Sequence, residues 1–191
     1  MNTPAHVVIN LLGLGRQDTA VVLSPVVIGA ILPDAPIFIF YFYEKVIRNM
    51  PEAWIWRVGY YQPHWQNFID VFNSLPLIGL ALAIAYWQRS QFGILLCLSM
   101  VLHIAGDLPV HHDDGHRHFF PFSNWRFESP VSYWDSNHYG NIFSVIEILA
   151  VVASCWVLFQ GYQSWAGRAM IGLVGVTYTL YFGYVFAVWK N

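Results

Sequence analysis

The chain alternates between long uncharged runs and short polar connections. Residues 71–87 carry no charged side chain, and residues 92–106 carry only whatever charge His103 takes. Residues 142–159 hold a single acid, Glu147, and residues 169–189 hold none. The last run is about as long as a bilayer-spanning helix requires, and the others reach the lower limit. Short spans are accommodated by bilayer thinning or interfacial anchors. The "QRSQ" between the first two runs leaves room only for a tight helical hairpin.

Two earlier apolar stretches, "AHVVINLLGLG" and "TAVVLSPVVIGAILPD", each reach only part of the way across a membrane. Gly13, Gly15, Arg16 and Asp18 between them predict a turn. The resulting hairpin has arms of similar length and returns His6 and Asp34 to one end. Residues 35–70 mix aromatics with Lys45, Arg48 and Arg57, which predicts helix and loop at the membrane surface. Residues 107–141 form a long polar connection containing Pro109, Pro121 and Pro130. Its Trp, Tyr, Phe and His content argues against disorder, and loops of this length inside a compact domain are usually functional when ordered.

The pattern predicts an all-α, multi-pass membrane helix bundle, one domain over residues 1–191. Composition agrees: 57% of residues are hydrophobic and only 10% charged, against about 25% charged in soluble domains. Aromatics make up 18%, and Trp and Tyr favour membrane interfaces. The nine Lys and Arg are scattered and the net charge is −2, so nucleic-acid binding is not expected. Cys97 and Cys155 lie in apolar runs and read as small buried residues. The N-terminus lacks a basic n-region, and Gly13, Gly15 and Arg16 interrupt its apolar run, so no cleaved signal peptide is expected. If the first hairpin starts on one face and the later runs alternate, Lys45, Arg48, Arg57, Arg117, Arg126 and Lys190 share that face. Arg16, Arg89 and Arg168 take the other. The positive-inside rule makes the first face cytoplasmic.

His6, Asp34, Asp70, His103, Asp107, the 111–118 cluster and Glu147 all fall at that same end of their segments. One polar site at one end of the bundle is the simplest account. His103 and Asp107, spaced i, i+4 at the end of an apolar helix, share a face and can hold one divalent ion, or one each of a close pair. Asp34 is either a site carboxylate or a cap for the next helix. Asp70 is open to the same two readings. Glu147 stands about two turns into an apolar helix, where an ionisable group is costly; site membership is the stronger reading, and pairing with a buried base or protonation the other. One of His111 and His112 can fold back toward Asp107, while Asp113, Asp114, His116 and His118 can orient ligands. His138 is a further candidate contributor, and His64 is expected at the lipid interface. With no G-x-S-x-G elbow, P-loop or G-x-G-x-x-G in the chain, metal-activated water is the natural nucleophile.

The order of short motifs resembles the YdjM-like family of predicted membrane-bound, metal-dependent hydrolases. The matching motifs are "TPAH", "GAILPD", "DVFNSLPL" and "HIAGD", followed by further histidines. More distantly, the order is similar to that of zinc-dependent phospholipase C and the P1-type nucleases, all-α enzymes that hold a zinc cluster with His, Asp and Glu. The resemblance runs in scattered pieces from residue 3 to about residue 147. His6, Asp34, His103 and Asp107 match the family's ligand positions, one of His111 and His112 a following ligand, and Glu147 the late acidic one. Where the family often has "H-R-G-x-T-H-S", this chain has "FIDVFNSLPL", with Asp70 and Asn73 in place of histidines.

The resemblance implies hydrolysis of an ester or phosphoester, in a lipid or otherwise, with Zn2+ as the expected divalent metal. It also implies an integral protein of bacterial inner- or plasma-membrane type. Asp34 or Asp70 is the expected general base; the ligand set is drawn from His6, Asp34, Asp70, His103, Asp107, His111, His112 and Glu147. Two rival readings are a non-catalytic membrane protein with a structural or partner-binding metal site and a metal-ion transporter. Transport is disfavoured because the polar groups gather at one end rather than at mid-membrane or on both faces.

Overall fold

A computed structural model describes residues 1–15 and 18–189, without the side chains of residues 20, 21 and 185–189. Arg16 and Lys190, used above to argue sidedness, lie outside the described residues. Among those described there is no strand, and the helices are α1 (Thr3–Leu14), α2 (Ala20–Ile31), α3 (Ala35–Phe42), α4 (Glu52–Trp54), α5 (Pro63–Phe72), α6 (Leu75–Trp87), α7 (Gln91–Asp107), α8 (Gly140–Gly161) and α9 (Trp165–Trp189). Single π-helical turns extend α3 over Tyr43–Ile47 and α4 over Ile55–Gly59.

Three helical stretches are long and apolar enough to cross a membrane: Pro63–Trp87, Gln91–Val110 and Gly140–Gly161. A fourth arises if Val22–Ile31 and Ala35–Ile47, bent by 52° at their junction, count as one broken span. The first begins earlier than the charge-free run 71–87 because α5 precedes α6 in it. Asp70 does not interrupt it: its carboxylate is wholly buried against Arg117. The uncharged run 169–189 is carried by α9. Large apolar side chains cover the outer faces of these helices, Leu149 and Trp156 being 64% and 68% exposed. An extended surface of that kind belongs against lipid rather than water.

Helix α1, too short at about 18 Å to span by itself, sits at the centre of the bundle against α2, α7, α8 and α9. Ala5, Val8 and Leu11 are fully buried in one cluster with Val26 and Ala30 of α2, Val151 and Leu158 of α8, and Ile171 and Tyr178 of α9. Polar links fix the register. Asn10 Nδ2 donates to the Ser99 carbonyl and to Ser99 Oγ at 2.8 and 2.9 Å, and Ser99 Oγ donates to the Val26 carbonyl at 2.6 Å. Gly29 permits the α2–α7 approach, since a Cβ there would lie 2.4 Å from the Leu96 carbonyl oxygen. The expected tight hairpin joins α6 to α7: Arg89 takes a left-handed φ of 54°, and Ser90 caps α7 by accepting from the Gly93 amide at 3.2 Å.

The connection 107–141 holds two short 3-10 turns, Leu108–Val110 and Ser136–His138, and is otherwise irregular. It is pinned by hydrogen bonds instead of regular structure. The Leu75 amide donates to the His118 carbonyl at 2.9 Å, Ser129 to His111 at 3.0 Å, and Tyr133 to Val110 at 2.9 Å. The first ties it to the start of α6, and the other two close the connection on itself just past α7.

Candidate metal centre

The last turn of α7 presents His103 and Asp107 on one face, with His103 Nε2 3.0 Å from Asp107 Oδ2. From α1, His6 reaches the other oxygen of the same carboxylate, Nε2 to Oδ1 at 2.9 Å. Its ring stacks on that of His103, centroids 3.6 Å apart and planes within 15°. Gly106 makes room: a Cβ there would lie only 3.3 Å from His6 Cε1. All three side chains are buried, and one ligand atom from each falls within 4.8 Å of the others. The amino group of Met1 also contacts Asp107 Oδ1.

The α2–α3 break brings in Asp34, whose Oδ1 lies 3.4 Å from His103 Nε2. Asp34 precedes α3 but makes no side-chain capping bond. Its Oδ2 accepts from Thr3 Oγ1 at 2.5 Å. The carboxylate therefore faces the site, and the hairpin returns His6 and Asp34 to one end as expected.

Proton placement at His103 is constrained. Its Nδ1 lies 2.7 Å from the Ala30 carbonyl oxygen, which can only accept, so Nδ1 carries hydrogen. In the neutral ring Nε2 then presents a lone pair toward two carboxylates. Lone pairs so opposed need a shared cation, either a proton on Nε2 or a metal ion. A backbone carbonyl fixing the far nitrogen is the usual way a ligating histidine is oriented. His6 Nδ1 is buried without a hydrogen-bond partner. Two imidazoles and a carboxylate so placed could hold a metal ion.

Of the two histidines after Asp107, His111 turns toward it, with Nε2 3.4 Å from Asp107 Oδ1 and Nδ1 3.0 Å from Asp114 Oδ1. Burial pulls the His111 imidazole down, but the two carboxylates outweigh it and hold it up at about 9. His112 turns away: its Nδ1 donates to the Ser129 carbonyl at 2.6 Å, and its ring stacks 3.7 Å from that of His138. His138 in turn pairs with Asp135 at 2.6 Å. His64 lies exposed beside Trp65.

Asp70 and Glu147 lie apart from the three clustered ligand atoms. Asp70 accepts from Arg117 Nε at 2.5 Å and from the Arg117 amide at 3.1 Å. Arg117 also holds Asn67 and Asn124, while Arg126 bridges Gln66 and the Gly115 carbonyl. This network ties the loop to α5. His116, 3.8 Å from Asp70, is pulled down to about 4 by burial, with His111 adding to the effect. Glu147 Oε1 accepts from the Asn2 amide and from Asn2 Nδ2, both at 3.0 Å, and from Tyr178. It anchors the start of α1 to α8 and α9; Oε2 is buried without a partner.

A cavity of about 860 Å3, a size typical of small-molecule sites, adjoins the cluster through Asp34 and His111 and is lined also by Thr3, Tyr60 and Tyr133, but not by His6, His103 or Asp107 themselves. Its aromatic walls were not singled out in the sequence, where their only signal is the density of Trp and Tyr in residues 54–61 and 133–134. Comparison with known proteins finds no matching family model, no matching curated protein and no matching solved structure.

Proposed function

We propose that this chain is an integral membrane, metal-dependent hydrolase of an ester or phosphoester. The observation that carries the reading is the His103 arrangement, in which a carbonyl-fixed imidazole turns its free nitrogen toward Asp107 and Asp34 beside His6. The motif resemblance to the YdjM-like family supports it, as does the cavity that Asp34 lines beside these groups. His6, His103 and Asp107 would hold the ion. When bound there, a zinc ion would supply Lewis-acid polarisation of the scissile group and acidification of water.

The chain's own residues do the rest. Asp34 lines the cavity with Oδ2 held by Thr3 and Oδ1 facing His103 Nε2, so beside an ion held at His103 it would take the role of general base. Asp70, engaged by Arg117, is poorly placed for it. Stacking of His6 on His103 and the Ala30 carbonyl fix the ligand geometry before substrate arrives, and the loop over the site limits water. A cytoplasmic position of the centre, argued from charge, is part of the same proposal and is checked by reporter fusions at the two chain ends.

The test is metal analysis of the purified protein followed by a screen with generic phosphodiester and carboxylic ester substrates. Near-stoichiometric zinc is expected in the wild type, lost in His103→Ala, with turnover falling at least a thousandfold in Asp34→Asn while metal is retained. Bound metal without turnover of any substrate would leave a structural or partner-binding site. A wild-type protein that takes up no metal would end both readings.

A further inference from the structure

The cavity holds an unused charge. Arg57, itself exposed, lines it and has no hydrogen bond, ion pair or ring contact among the described residues. The other cations of this end are engaged: Arg117 by Asp70, Arg126 by Gln66 and Gly115, Arg48 by Glu44, and Lys45 by Glu52. Of the carboxylates lining the same cavity, Asp34 faces His103 and Asp114 faces His111. Only Asp113, exposed, lacks such a partner.

The walls show what else an occupant must be. Phe38 and Trp56 line the cavity yet are 55% and 44% exposed, so they also form its rim. Beyond Phe38 the outer surface of α3 and its π-turn continues through Ile39, Phe42, Val46 and Ile47, all more than half exposed. This surface belongs to Ala35–Ile47, the second half of the broken span. The cavity is thus lined both by Asp34 and His111, which contact the candidate centre, and by Phe38 and Trp56, beside an apolar face suited to lipid.

We propose that this cavity binds an amphiphile by its anionic head group, phosphate or carboxylate, with Arg57 as the head-group contact and the acyl chain leaving over Phe38 and Trp56 toward the bilayer. The inference deepens the hydrolase reading by naming its substrate class, and rests on it only for the ligand's fate. A guanidinium suits either oxyanion because its fork donates two parallel hydrogen bonds.

Binding to the full chain in maltoside micelles is measured by calorimetry with four probes: palmitoyl lysophosphatidic acid, palmitate, monopalmitoylglycerol and inorganic phosphate. At least one of the two anionic amphiphiles should bind ten or more times tighter than monopalmitoylglycerol and than inorganic phosphate, and which one does identifies the head group. Arg57→Gln should remove that advantage, and Arg57→Lys should restore most of it. Unchanged melting temperatures in both variants exclude unfolding as the cause. Equal affinity for charged and neutral amphiphiles, an Arg57→Gln protein that binds like the wild type, or phosphate bound as well as the amphiphiles would overturn the proposal. Because binding is read without turnover, an inactive protein that retains the Arg57-dependent preference would sink the hydrolase reading alone.

Discussion

At the scale of single residues, position relative to fixed hydrogen-bond partners separates the groups that face the centre from those that brace it. His103 and Asp107 were legible because helical spacing places i and i+4 on one face whatever the rest of the chain does. His111 against His112 was not, since adjacent residues in irregular chain point apart and only the Ser129 and Val110 hydrogen bonds decide which turns inward. Asp70 was opaque for a related reason: its partner Arg117 lies 47 residues on, in that same irregular segment. Asp70→Asn leaves the buried end of that network without its charge. Breaking such a pair costs about 3–5 kcal/mol, so the variant should melt earlier and be cleaved faster by protease between residues 111 and 127. A melting temperature equal to that of the wild type would show that the pair does not hold the loop.

At the scale of elements, the bundle depends on close helix contact secured by few polar groups. Ser99 both donates to the Val26 carbonyl and accepts from Asn10, so one side chain joins α1, α2 and α7. Ser99→Ala should cost about 1–3 kcal/mol through unsatisfied buried groups, measured by thermal unfolding in detergent. Ser99→Thr, which keeps the hydroxyl, should lose less; an equal loss in both would assign the effect to crowding. The uncharged runs mark these helices in the sequence, but they start one stretch at residue 71, whereas its helix pair begins at Pro63. Gln66 and Asp70 are polar but buried, facing the loop, so counting charges along the chain misplaced the start of the span.

At the scale of the whole molecule, the outer surface settles how the protein must be handled. With apolar faces exposed on α6, α7, α8 and α9, it should stay with membranes through high salt and alkaline carbonate and leave only with detergent. Release by carbonate would contradict membrane-spanning helices. The number of apolar runs made this level of organisation readable at once, because length and hydropathy alone govern insertion. The central place of α1 has a further consequence for the order of assembly. His6 lies on α1, which precedes α8 and α9 in the chain yet is packed partly against them, and Glu147 receives Asn2 just ahead of α1. A nascent chain that has passed α7 already carries His6, His103 and Asp107, but not the α8 and α9 surfaces against which α1 is also buried. The packing that holds α1, and with it His6, is therefore complete only once α8 and α9 have arrived.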